Sequence, residues 1–284
     1  MAAANLLRLT RLERLRQTFE DEGVQLLYLK GAAFLDTLYP DLGSRRMSDV
    51  DLLVREEQRD QAEALMQRAG LRRLTTEERP VTADVFYERV YVDPDASWIW
   101  FELHTAFCQR QRFDIDYDGI WRRAVHLQAV GRPIPTLCPE DSLLYAALHQ
   151  GLHSFYEDGR WSEDLRRIIE RWQPDWELVV ERARRWHMAT NLYLSLHGAQ
   201  RLGALVPERA LAALRPSVPR RLLAHGLFDL ADGGRPRLQR WSRSGQLLTV
   251  ALTVEEPLNL VRFLGSYGLL RLRDWRALHR TPTP

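Results

Sequence analysis

"LKGAAFLDTLYPDLGSRRMSDVDLLV" runs from Leu29 to Val54. It joins two apolar runs of strand length, "VQLLYL" (Val24 to Leu29) and "VDLLV" (Val50 to Val54), through a helical stretch that stops at Pro40. Residues i and i+2 of a strand point to the same side, so Asp49 and Asp51 present two carboxylates on one face. Val50, Leu52 and Leu53 are left for packing. Two like charges this close repel unless a cation sits between them, and a hard divalent ion such as Mg2+, which prefers oxygen ligands, is the natural occupant. A third carboxylate, Glu102, stands in "WIWFELH", a run whose aromatic and β-branched content predicts a neighbouring strand. Three carboxylates can hold two metals about 4 Å apart, as two-metal phosphoryl transfer requires. A paired aspartate motif alone is more often a solvated strand mouth than a metal site, so its neighbours decide the reading.

The nearest neighbour is Lys30, the only lysine of the chain; the other basic residues are arginine. The alternative account of the arginine bias, and of the scarcity of lysine, is a GC-rich genome. The order strand, Lys30-Gly31, helix aims backbone N–H groups at an anion, and Gly31 lets phosphate oxygens approach. Lys30 adds a compact point charge. Arg45 and Arg46, in the loop before the aspartates, can fork onto other phosphate oxygens, and Ser48 completes the set of phosphate-binding candidates.

Outward from this stretch, Leu6, Leu9, Leu12, Leu15 and Phe19 mark a first amphipathic helix ending at Gly23. A helix ending at Gly70 follows the aspartates, and strands are predicted at Leu71 to Thr75, Asp84 to Val92 and Trp98 to His104. A turn at Gly131-Arg132-Pro133, with Pro135, closes this half. From Pro139 onward every segment reads as helix, started by Pro, Asp or Ser and stopped by Gly or Pro, down to a "TPTP" tail that reads as disordered. The chain is thus read as α+β, with a strand-containing unit over 1–136 and an all-helical unit over 137–284.

Composition is that of an ordinary globular protein: 284 residues, 45% hydrophobic and 27% charged. A net charge of +2 gives no electrostatic case for nucleic-acid or membrane binding. Two cysteines, Cys108 and Cys138, offer neither a disulfide framework nor a metal knuckle. No apolar run approaches the roughly 18 residues of a membrane helix, and the N-terminus lacks a signal-peptide core. A cytoplasmic protein is expected.

The stretch Leu29 to Val54, followed by "FELHTAF", "LCPEDSLLYAALHQGLHS", "RWSEDLRRIIERW" and "DWELVVERARRW", resembles the uncharacterised bacterial nucleotidyltransferase family, a branch of the DNA polymerase β-like nucleotidyltransferase superfamily. The resemblance covers roughly residues 5 to 205. It implies a small mixed sheet with packed helices, followed by a helical domain. It also implies transfer of a nucleoside monophosphate from an NTP, ATP foremost, with two Mg2+ ions. The superfamily pattern carries over as Gly31 for the turn, Asp49 and Asp51 for the acid pair, and Glu102 for the third acid. The superfamily serine after the glycine is Ala32 here, so one hydroxyl contact to phosphate is missing, and Lys30 is a candidate for that role. Members of this branch resemble accessory proteins of peptide or natural-product biosynthesis clusters, so family membership leaves the acceptor open, a small molecule or a peptide, with a peptide or biosynthetic protein as the expected partner. The alternative is a degenerate module that binds a nucleotide or peptide and regulates a partner.

His104 shares its strand face with Glu102, as a general base, a phosphate contact or a packed ring. His149 and His153 stand at i, i+4 on a helix, but Gln150 replaces the glutamate of a zinc-protease motif. They are read as cleft or acceptor contacts, with Asp164 on the next helix as a partner. The nine tryptophans are read as packing.

Overall fold

The structure is a computed structural model that describes residues 1–75, 87–129, 132–153, 155, 159–229, 235–236 and 243–278. The start of the strand expected from Asp84, the Gly131 corner and the "TPTP" tail lie outside these residues. In chain order the first half holds α1 (Ala2–Asp21), β1 (Leu27–Tyr28), α2 (Lys30–Phe34), β2 (Asp49–Leu53), α3 (Arg59–Arg68), β3 (Arg72–Arg73), β4 (Glu88–Asp93), β5 (Ala96–His104), α4 (Tyr117–Arg123), β6 (Val125–Ala129) and β7 (Arg132–Thr136). The second half holds α5 (Pro139–Leu152), α6 (Arg160–Arg167) and a π-helical turn (Ile168–Trp172). It continues with α7 (Trp176–Arg185), α8 (Ala189–Arg201), α9 (Glu208–Leu214), α10 (Val218–Leu227), β8 (Phe228–Asp229), β9 (Arg235–Pro236), α11 (Arg243–Thr253) and α12 (Pro257–Leu278). The fold is α+β. The β8–β9 ladder is a small departure from an all-helical second half.

Seven strands form one mixed sheet in the order β3-β4-β5-β2-β1-β7-β6. The central pair, β2 and β5, is parallel, while β1 runs antiparallel to β2. The β6–β7 hairpin was not expected, because Pro133 and Pro135 lower the strand signal. Both prolines precede Thr136, the residue at which β7 pairs with β1, so they face no ladder on that side.

Two local expectations are corrected. The buried face of α1 carries Asn5 and Arg8 before Leu12, Leu15 and Phe19, while Leu6 is 52% exposed. Asn5 Nδ2 donates to the carbonyls of Leu42 and Arg45 at 2.7 and 2.8 Å, which fixes the first turn against the loop before β2. The helix after β1 is also shorter than its apolar pattern, since Thr37 turns its hydroxyl back onto the Ala33 carbonyl.

Helix starts follow their caps. Asp175 accepts from the amides of Glu177 and Leu178, and α5 opens with Pro139, Glu140 and Asp141. The main core of buried apolar side chains runs from Leu12 to Leu214 and joins the sheet to the helices after it. Among the described residues no helix is long and apolar enough to cross a membrane.

Candidate active site

Register builds the acidic face. On the parallel β2–β5 pair, Asp49 lies opposite Trp100, Asp51 opposite Glu102, and Leu53 opposite His104. On the next strand Glu88 lies opposite His104. Directly paired residues point the same way, so these acids and His104 share one side of the sheet. The intervening Val50, Leu52, Phe101 and Leu103 fill the core on the other side.

The face is graded in depth. Asp51, Glu102 and His104 are 1%, 8% and 3% exposed, whereas Asp49 is half-buried. Asp51, Glu102 and His104 each offer one ligand atom, and these atoms lie within 4.8 Å of one another. His104 Nε2 is 3.2 Å from Asp51 Oδ1 and 3.7 Å from Glu102 Oε2, and its Nδ1 is 3.9 Å from Glu88 Oε2. Burial alone would lower the imidazole pKa. The hydrogen bond to Asp51 and the charges of Glu88, Asp51 and Glu102 outweigh it and hold the value above the ordinary one. Asp49 stands outside this cluster, at the mouth, and accepts from the exposed Ser48 hydroxyl at 3.0 Å.

Lys30 reaches Asp51 from the other side, Nζ to Oδ1 at 2.5 Å. Burial opposes its charge, but Asp51, with Tyr145, Asp49 and Glu102 behind it, holds the ammonium well above the ordinary lysine value. The residue itself starts α2 with φ +42°, in the left-handed region that non-glycine residues seldom occupy. Gly31 follows with no room for a side chain: a Cβ there would lie 2.8 Å from both Arg45 Nη1 and Met47 Cγ.

Arg45 and Arg46 separate in role. Arg46 is exposed at the mouth. Arg45 is buried and forks onto Asp164, Nε to Oδ1 at 2.8 Å and Nη2 to Oδ2 at 2.7 Å, while Tyr39 donates to the same carboxylate at 2.6 Å. Asp164 therefore serves Arg45 and Tyr39 rather than the histidines, because a buried guanidinium requires an opposite charge.

His149 and His153 on α5 pack against each other with tilted rings, centroids 4.6 Å apart, and both touch Trp161 at 5.1 and 5.0 Å. Burial and the nearby Lys30 ammonium lower both imidazoles, His153 to about 4. The charges of His104, Arg45, Asp51 and Glu102 are also felt there, which places the pair beside the acids.

Sequence reasoning missed five contributors. Tyr87 stacks on His104 at 6.2 Å between centroids, and Tyr145 feels the charge of Lys30. Arg8 lies 4.6 Å over the Trp98 ring and feels the charge of Asp49, so α1 closes one rim. Trp98 and Trp100, 45% and 40% exposed, line the open end of the acidic face, which the period of two along "WIWFELH" already signalled.

No match is found among curated proteins. Among solved structures, ANT(2'')-Ia in complex with adenylyl-2''-tobramycin aligns over 69% of this chain and 99% of that one, at 14% identity and a TM-score of 0.44. The lincosamide antibiotic adenylyltransferase LnuA, lincomycin-bound, aligns over 57% and 96%, at 13% identity and 0.38. An antigenic nucleotidyltransferase-like protein from Paracoccidioides brasiliensis aligns over 73% and 92%, at 14% identity and 0.42. The family described as uncharacterised nucleotidyltransferase matches residues 1–204, a span that holds the whole seven-stranded sheet and the helices α5, α6, α7 and α8 that follow it. Well over half of the chain is matched, and the chain belongs to the uncharacterised nucleotidyltransferase family.

Proposed function

We propose that the protein transfers a nucleoside monophosphate from an NTP, ATP foremost, to a small-molecule or peptide acceptor, with Mg2+ held on the acidic face. The observation that carries this reading is the pairing of Asp51 with Glu102 across β2 and β5, which sets two buried carboxylates side by side with His104. The donor set fits a hard cation through its oxygens, and His104 adds a nitrogen that also suits Mn2+. Asp51 and Glu102 would hold the ion, with Asp49 joining from the mouth where a second would sit. A bound ion supplies charge neutralisation on the triphosphate and activates the attacking oxygen.

The chain's own groups do the rest. Lys30 places a fixed positive charge against Asp51, and Arg46 and Ser48 meet phosphates at the open mouth. Gly31 keeps the backbone close to Arg45 and Met47, so the turn holds Lys30 in place. Arg45, committed to Asp164, acts as a strut beneath that turn rather than as a free clamp. His149, His153 and Trp161 offer ring faces to a base or an acceptor. Cys108 and Cys138 are both free, in keeping with action in a reducing cytoplasm.

The test is Mg2+-dependent pyrophosphate release from ATP with candidate acceptors. Asp51→Asn and Glu102→Gln are each expected to lower turnover by about 10²–10³-fold or more, the range seen when one preorganised electrostatic group is removed. Unchanged turnover in both variants would sink the reading.

A further inference from the structure

Arg112 lies in the segment between β5 and α4 and is 5% exposed. Its surroundings are apolar rings: the guanidinium carbon is 5.7 Å from the Phe113 centroid and 5.3 Å from that of Phe263 on α12. Among the described residues no side chain forms an ion pair with it, and its enclosed Nε has no hydrogen-bond partner. Arg45, equally buried, shows what is missing, since Asp164 faces it with both oxygens.

A guanidinium does not shed its proton in a protein, so Arg112 remains a cation in an apolar setting. Ring faces offset part of the lost hydration, but a buried charge without an opposite partner is strongly unfavourable. A ligand that brings an opposite charge would satisfy it. Its location agrees. Tyr87 and Cys108 lie within electrostatic range of the guanidinium, and the Tyr87 ring stacks on His104, which touches Asp51. The line thus runs Asp51, His104 and Tyr87 by contact and from Tyr87 to Arg112 by charge alone. Lys30 and Arg46 stand at the other end of this line, where the nucleotide phosphates are expected.

We infer that Arg112 receives an oxyanion of the acceptor, a carboxylate or phosphate, on its fork of N–H donors, with the Tyr87 hydroxyl beside it. The assignment to the acceptor rests on the transfer reading above; anion binding at Arg112 does not.

Thermal unfolding of the full chain tests this, in chloride buffer and in acetate or inorganic phosphate at matched ionic strength, beside a titration with Mg2+–ATP. Arg112→Met is expected to melt several degrees above the unmodified protein in chloride, because the unpaired charge is gone. The unmodified protein should gain melting temperature with acetate or phosphate, by mass action, and Arg112→Met should not. Its Mg2+–ATP affinity should stay within about twofold. Arg112→Gln, which removes the charge but keeps a polar end, is read by the same measurements. A variant that melts lower and keeps its anion response would overturn the inference and leave Arg112 as packing. A loss of ATP affinity of about tenfold would move the guanidinium to the nucleotide and overturn the acceptor assignment. If the unmodified protein does not bind Mg2+–ATP, the transfer reading and the acceptor assignment fall together, while the anion response still decides the site.

Discussion

Gly31 shows how little freedom the residues around the acids have. A methyl group at this position would meet the Arg45 guanidinium, which Asp164 clamps in place, and the Met47 side chain, which is buried. Met47 can yield by rotating, but Arg45 cannot without breaking its fork. Gly31→Ala is therefore expected to destabilise the protein by ~1–3 kcal/mol, the usual range for overpacking, read as a lower denaturant midpoint at unchanged slope. Lys30, one residue earlier, adds a left-handed backbone to a buried charge contact. The sequence marks both positions, because a lone lysine before a glycine stands out by composition and by turn chemistry. The left-handed backbone has no signal of its own, since φ +42° at a lysine is imposed by the strand and helix on either side.

At the level of elements, Arg45 and Asp164 tie the loop before β2 to α6 across 119 residues of chain. Breaking a buried pair leaves one uncompensated charge, which costs ~3–5 kcal/mol. Arg45→Met and Asp164→Asn should each fall in that range, and the double variant should lose less than the sum, with Asn still accepting from Tyr39. Urea unfolding of the four proteins measures the coupling. Additive losses would mean that the pair is not one unit. This pairing also marks the limit of what was legible. Asp49, Asp51 and Glu102 could be placed on one side of a sheet from a period of two. His104 joined them because it lies two residues from Glu102. Arg45 looked like a phosphate clamp because its partner lies on a helix that no local pattern connects to it. Arg112 was unremarkable among the chain's many arginines, since its burial depends on α12 closing over it.

For the whole molecule, the change from strands to helices near residue 136 was legible from turn residues and periodicity. The core is nonetheless continuous across that point. The acids sit against α5, so the site draws on both halves of the chain. His149 exposes that dependence to pH. Burial and the Lys30 charge hold its folded pKa well below the ordinary value of about 6.5. In the window between the two values the unfolded chain binds the extra proton and the folded one does not, so stability falls as pH drops through about 6.5. His149→Gln should flatten that part of a melting-temperature profile relative to the unmodified protein; an identical slope would contradict it. The parallel pairing of β2 with β5 has a further consequence for the order of folding. Asp51 and His104 are 53 residues apart, and two parallel neighbours cannot be closed by a hairpin as β4 and β5 can. The β4–β5 hairpin can form from local contacts, but the acidic face exists only after the long loop between β2 and β5 has closed. A nascent or partly unfolded chain therefore carries every acid of the site in sequence and none of the site in space. Activity is a property of the finished fold.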